Sequence, residues 1–190
     1  MYNEKIIIGL VGETGSGKDT VAHYLKRRYD VDLLRFGMPL KKTLDLFFDK
    51  SSKEDQAWLY SMFKDRFGED VLHKGVLRYV HQHHGIMCVN GMRMMMDLEF
   101  IRSFEDSYII YVTADQELRW KRVTSRGEKS DDDQTFDEFK KFEAESETEK
   151  AIPVIGKDAD FTVKNDGSMD DLLWQVDDAM KNILQKKRCN

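Results

Sequence analysis

Lys5-Ile6-Ile7-Ile8-Gly9-Leu10-Val11-Gly12-Glu13-Thr14-Gly15-Ser16-Gly17-Lys18-Asp19-Thr20 is the stretch that decides the fold. Its first half is a continuous apolar run with β-branched residues, which predicts a strand buried on both faces. Its second half contains G-x-x-x-x-G-K, and the residues behind it, Lys18–Tyr29, carry Val21, Ala22 and Leu25 at helical spacing with a basic end at Lys26-Arg27-Arg28. A glycine-rich turn between such a strand and helix lets successive backbone N–H groups face one anion. The helix N-terminus adds partial positive charge there, and a lysine placed like Lys18 reaches the outer phosphates. The expectation is a phosphate-binding loop over residues 12–20, formed by Gly12, Glu13, Thr14, Gly15, Ser16, Gly17, Lys18, Asp19 and Thr20.

Outward from this unit the chain alternates strand and helix. Residues 31–36 read as a second strand, and Pro39 suits the first turn of a helix over 40–48. Helices over 53–67 and 69–83 follow, then Gly85 and an apolar strand over 86–89. A helix over 95–104 precedes a fourth strand at 108–112, and Asp115 is placed to cap a helix reaching about residue 125. A polar loop over 126–134, a charged helix over 136–150, a fifth strand over 159–163 and an amphipathic helix over 169–184 complete the chain. This order predicts an α/β fold of three layers, a mostly parallel five-stranded sheet with helices on both faces, in one domain spanning 1–190.

Composition narrows the function classes. The 190 residues are 41% hydrophobic and 34% charged, with a net charge of -5, which suits a folded domain and disfavours binding to a nucleic-acid backbone. No apolar run approaches the roughly 18 residues needed to span a bilayer, so a cytoplasmic protein is expected. Cys88 and Cys189 suggest neither a disulfide scaffold nor a metal site. His81, His83 and His84 lack the spacing of a metal motif and read as a solvated helix end.

The motifs carry a resemblance. Gly15-Ser16-Gly17-Lys18-Asp19-Thr20 resembles the loop of nucleoside monophosphate kinases, and its Gly-Lys-Asp-Thr form is similar to phage deoxynucleoside monophosphate kinases and phosphomevalonate kinases. The resemblance implies that ATP sits on the loop with magnesium held largely by phosphates and waters, and that Thr20 touches an inner phosphate. Asp19 stands where many phosphate loops place a hydroxyl metal ligand, and is the candidate on the metal side. The segment from Arg35 to Lys41 resembles the start of the acceptor region of deoxynucleoside monophosphate kinases, making Arg35 and Lys41 substrate candidates and residues 37–84 a possible acceptor-binding helical insert.

After the third strand, Asn90-Gly91-Met92-Arg93 resembles the Asp-Gly-x-Arg turn of this group, with Asn90 in place of the acid. A neutral amide orients a metal-bound water but supplies no charge, whereas the planar fork of Arg93 suits a phosphate dianion. Asp97 is a substrate-side candidate, and the base if the acceptor is a hydroxyl. Arg119, Arg122 and Arg126 share a helix face and resemble the lid arginines of nucleoside monophosphate and dephospho-coenzyme A kinases, which places a lid at about 126–135 and puts Arg122 and Arg126 with Lys18 and Arg93 as catalytic candidates. Asn165-Asp166-Gly167-Ser168 resembles the ending found beside the adenine in those enzymes, so Asn165 and Gly167 join the nucleotide site.

The expected activity is ATP-dependent phosphoryl transfer to a (deoxy)nucleoside monophosphate, with dephospho-coenzyme A as the second choice of acceptor. A nucleotide-dependent switch ATPase without an acceptor is the reading of another class; a GTPase would need an Asn-Lys-x-Asp motif, which the sequence lacks. The expected partners are the nucleotide and a small phosphate acceptor, on a monomer or homodimer.

Overall fold

In the computed structural model, which describes residues 5–125 and 134–188, five strands form one sheet. They are β1 (Ile6–Val11), β2 (Asp32–Arg35), β3 (Ile86–Met92), β4 (Ser107–Thr113) and β5 (Phe161–Lys164), all parallel in the order β2-β3-β1-β4-β5. The helices are α1 (Lys18–Tyr29), α2 (Met38–Asp45), α3 (Lys53–Phe67), α4 (Val71–Gln82), α5 (Met95–Arg102), α6 (Gln116–Thr124), α7 (Phe136–Glu145), α8 (Glu147–Lys157) and α9 (Met169–Arg188).

The central strand explains the layers. Every residue of β1 is buried, and its period of two divides the core. Ile6, Ile8 and Leu10 join Val21, Ala22 and Leu25 of α1 and Leu172, Val176, Met180 and Ile183 of α9. Ile7 and Val11 face the opposite way, with Val76 and Val80 of α4, Leu98 and Ile101 of α5, and Ile152 and Ile155 of α8. Because all strands run the same way, their C-terminal ends share one edge, and the strand order reverses at β1. That edge is where ligands bind in open α/β sheets.

Several boundaries differ from expectation for physical reasons. The third strand continues past residue 89 to Met92, pairing Asn90 with Leu10 on one side and Arg35 on the other; the register then skips at Gly91, which adopts a φ of 91°. The single charged helix expected over 136–150 is two helices. Ser146 ends α7 and its hydroxyl accepts from the Glu149 backbone N–H at 3.3 Å, starting α8, which continues through Pro153 to Lys157. The α2–α3 hairpin has a small core of its own, Leu40, Leu44 and Leu59.

Among the described residues no helix is long and apolar enough to cross a membrane. Burial pushes the Cys88 thiol up to about 12, leaving it inert. Cys189 lies outside the described residues.

Candidate active site

The phosphate loop follows β1 at the shared edge. Gly15 and Gly17 have φ of 81° and 92°, in the left-handed region that favours glycine. A Cβ on Gly15 would stand 2.5 Å from the Arg119 carbonyl, and one on Gly17 would strike the Asn165 amide. Ser16 N–H donates to the Glu13 carbonyl at 3.1 Å to close the turn. Gly17 caps α1 without a side chain, which leaves the first-turn N–H groups facing a ligand rather than a capping oxygen. Thr20 is exposed on that first turn.

The Glu13 side chain turns into the protein, where Oε1 accepts from the Tyr111 hydroxyl and from Thr113 Oγ1 at 3.3 Å, so that residue faces the loop with its backbone alone. Burial, reinforced by this bond, pushes the Tyr111 hydroxyl up to about 12, so it stays a donor.

Beside the loop opens a cleft of about 580 Å³. Lys18, Arg35, Lys41 and Arg93 line it against a single carboxylate, Asp19. In a chain of net charge -5 this is a local inversion of sign, suited to an anion. Leu33, Phe36 and Met38 form an apolar wall and Gln56 a polar one, so the α2–α3 insert contributes directly to the cleft. Lys41 is steadied by Asp45 one helical turn away, at 2.7 Å.

Asp19 and Asn90 meet at the floor. Asn90 Nδ2 donates to Asp19 Oδ1 at 2.7 Å, and Arg35 approaches the same oxygen at 3.2 Å. Burial raises the Asp19 carboxyl, but the Asn90 bond and the charges of Lys18 and Arg35 together outweigh it and hold the group below its ordinary value. A depressed carboxyl contributes stability above its unfolded pKa and loses it only as pH falls through the lowered one. Asp19 is therefore anionic throughout the neutral range.

A hard cation prefers oxygen donors, and two are present here: the Asp19 carboxylate and Asn90 Oδ1, which is buried without a hydrogen-bond partner. Among the described residues no cluster of three or more acidic, His or Cys side chains could hold a metal. Asp19, with a water ordered by Asn90, would therefore be the protein's share in holding a magnesium ion on a bound nucleotide. Asp19→Asn is expected to raise the magnesium concentration for half-maximal nucleotide binding by about tenfold, a loss of about 1.4 kcal/mol. A magnesium titration with a fluorescent ATP analogue checks this.

Asp97 also stands elsewhere than expected. Oδ1 is 2.8 Å from His73 Nε2, and Oδ2 accepts from the backbone N–H groups of Arg93 and Met94 at 2.8 and 3.0 Å. Both oxygens are engaged in starting α5, and the residue does not line the cleft. Its effect is to fix the backbone at Arg93, whose half-exposed side chain reaches into the cleft.

Of the lid arginines, Arg119 is buried. It donates to the carbonyls of Ala114 at 3.0 Å and Thr14 at 3.3 Å and pairs with Glu143 of α7, so it supports the loop from behind. Arg122 Nη2 donates to the Asn165 carbonyl at 2.7 Å, while its Nη1 is buried without a partner. Asn165 in turn donates through Nδ2 to the Ser16 carbonyl at 2.8 Å. Arg122, Asn165 and the loop are thereby brought together; Gly167 lies in the exposed turn just beyond. Arg126 and most of the expected lid lie outside the described residues. Trp120 Nε1 of α6 donates to the Gln134 carbonyl, just before α7, at 2.9 Å.

Two residues escaped the sequence reading. Glu143 and Glu149 look like solvated charges in an acidic stretch, yet Glu149 is 3% exposed and bonds Thr14. The only signal was Ser146, three residues before Glu149, the spacing of a helix cap.

A parallel sheet in the order 2-3-1-4-5, with a glycine-rich loop after its central strand and a lysine opening the next helix, is the three-layer α/β fold with a phosphate loop that the sequence led us to expect. Among solved structures it is similar to TT1252 from Thermus thermophilus, at 21% identity and a TM-score of 0.61, covering 96% of this chain and 98% of that one. It is likewise similar to shikimate kinase from Bacteroides thetaiotaomicron, at 15% identity and a TM-score of 0.60, with coverage of 96% and 98%. In sequence the chain is similar to the UPF0200 protein MJ1399 of Methanocaldococcus jannaschii, 23% identical over 185 residues that cover 94% of this chain and 91% of the relative. No family model matches the chain.

Proposed function

We propose that this protein is an ATP-dependent kinase that transfers the γ-phosphoryl group to a (deoxy)nucleoside monophosphate. The observation that carries the reading is the cleft, where Lys18, Arg35, Lys41 and Arg93 face one carboxylate immediately beside the phosphate loop. Four cations against one acid suit an acceptor that brings its own phosphate charge.

In this reading the loop amides and Lys18 hold the outer phosphates of ATP. Magnesium, bound with Asp19 and a water ordered by Asn90, would offset charge on those phosphates. Arg93 and Arg35 orient the acceptor phosphate in line with the γ-phosphorus. An acceptor oxygen forms the new P–O bond as the bond to the β–γ bridging oxygen breaks, and ADP leaves with that electron pair. A monophosphate is already an anion near neutral pH, so no proton has to be removed. A hydroxyl acceptor, such as that of dephospho-coenzyme A, gains from a base, and the engagement of both Asp97 oxygens supports the monophosphate instead. Arg122, with one donor unsatisfied, and Arg126 are the residues proposed to cover the phosphoryl group in flight.

The test is ADP formation from magnesium and ATP across the common ribo- and deoxyribonucleoside monophosphates, with dephospho-coenzyme A, shikimate and no-acceptor wells alongside. Stimulation of at least about tenfold by one or a few monophosphates is expected, against the 10³ or more that a complete phosphoryl-transfer site can supply. Stimulation by dephospho-coenzyme A or shikimate alone would replace the monophosphate with a hydroxyl acceptor. A flat response with ATP still bound would sink the kinase reading.

A further inference from the structure

Glu149 is a buried acid that the reaction above does not use. Its side chain is 1% exposed, and a carboxylate is retained at such depth only where its charge and lone pairs are answered. Two different parts of the site answer them. Oε2 accepts from the Thr14 backbone N–H at 3.3 Å and Oε1 from the Thr14 hydroxyl at 3.0 Å. The same Oε1 faces Arg93 Nη1 at 3.8 Å. Thr14 belongs to the phosphate loop and Arg93 to the end of β3, and both line the cleft, whereas Glu149 stands behind them.

One oxygen therefore serves the nucleotide side and the acceptor side at once. We propose that Glu149 is a positioning residue that couples occupancy of the phosphate loop to the placement of Arg93. The inference rests on reading the cleft as the acceptor site. When a terminal phosphate draws on Thr14, the hold of Glu149 on Thr14 weakens and its charge is left to Arg93. The ion pair tightens, and the guanidinium is fixed for the incoming anion. Ser146, which caps α8 through the Glu149 N–H at 3.3 Å, keeps the backbone of the acid still while its side-chain partners exchange. Coupling of this kind is reciprocal, so the acceptor anion tightens the nucleotide by the same factor.

The test needs no turnover. Inorganic phosphate serves as the probe of the acceptor side, and its dissociation constant is measured by calorimetry with and without a saturating non-hydrolysable ATP analogue and magnesium. The wild-type protein is expected to bind phosphate at least about fivefold more tightly when loaded, within the usual range of couplings. Glu149→Gln, which keeps size but removes charge, is expected to bring that ratio within about twofold of one, with the analogue's own affinity changed less than twofold. A merely structural role for Glu149 would lower the melting temperature and leave the ratio intact. Thr14→Val removes the hydroxyl bond to Glu149 Oε1, the oxygen that also faces Arg93, while keeping the backbone bond, and is expected to lower the ratio in the same direction by a smaller factor, which keeps the test open if Glu149→Gln folds poorly. A ratio unchanged in both variants, or absent in the wild type, overturns the proposal. A flat acceptor panel with an intact, Glu149-dependent ratio would sink the kinase reading while supporting this one.

Discussion

Replacing Lys18 with alanine is expected to lower turnover by at least about 10³-fold while leaving the fold in place. Lys18 opens α1 at the junction of the loop and the cleft, lining the space in which both proposed substrates would meet. Loss of one oriented donor to a developing anion costs about 10² to 10³ in rate, and Lys18 also carries a full charge. Its side chain adds little to the core, because the buried face of α1 is Val21, Ala22 and Leu25. The check is kcat for ADP formation alongside nucleotide affinity and thermal melting. Turnover within tenfold of wild type would show that the loop lysine does not carry the reaction.

Arg93→Ala is expected to reduce kcat/KM for the acceptor by about 10² to 10³, or about 3 to 4 kcal/mol, with nucleotide affinity changed less than threefold. The asymmetry follows from geometry. Arg93 follows β3 on a backbone fixed by Asp97 and is proposed to meet the acceptor, whereas the Gly15–Lys18 turn is the part of the cleft proposed to hold the nucleotide. Arg93→Lys should recover only a small part, since a point charge lacks the two-pronged contact with a phosphate. Equal losses for ATP and acceptor would place Arg93 on the nucleotide instead.

The fold was legible because its deciding elements are local. A continuous apolar strand, a glycine turn and a helix with three apolar positions specify the first unit without long-range help, and α1 and α3 begin and end where the periodicity puts them. Thr14, Gly15 and Lys18 of the loop line one cleft with Arg35, Lys41 and Arg93. What was not legible depends on pairing across the chain. Asp97 reads as a free acid near the site, yet His73, 24 residues upstream, and two backbone amides occupy it. Glu149 reads as one charge among many, and only the sheet brings it 135 residues back to Thr14. The Ser146 break lies between strong helix formers on both sides, and α8 runs past the expected end at residue 150, through Pro153, to Lys157.

The bond between Trp120 and Gln134 ties one helix to the start of another. It holds Gln134, next to the Thr135 cap of α7, against α6, and the Arg119–Glu143 pair joins the same two helices. The back of the phosphate loop, where Arg119 donates to the Thr14 carbonyl, is therefore braced from α7 as well as from α6. A substitution that loosens α7 reaches the loop without touching any residue that lines the cleft.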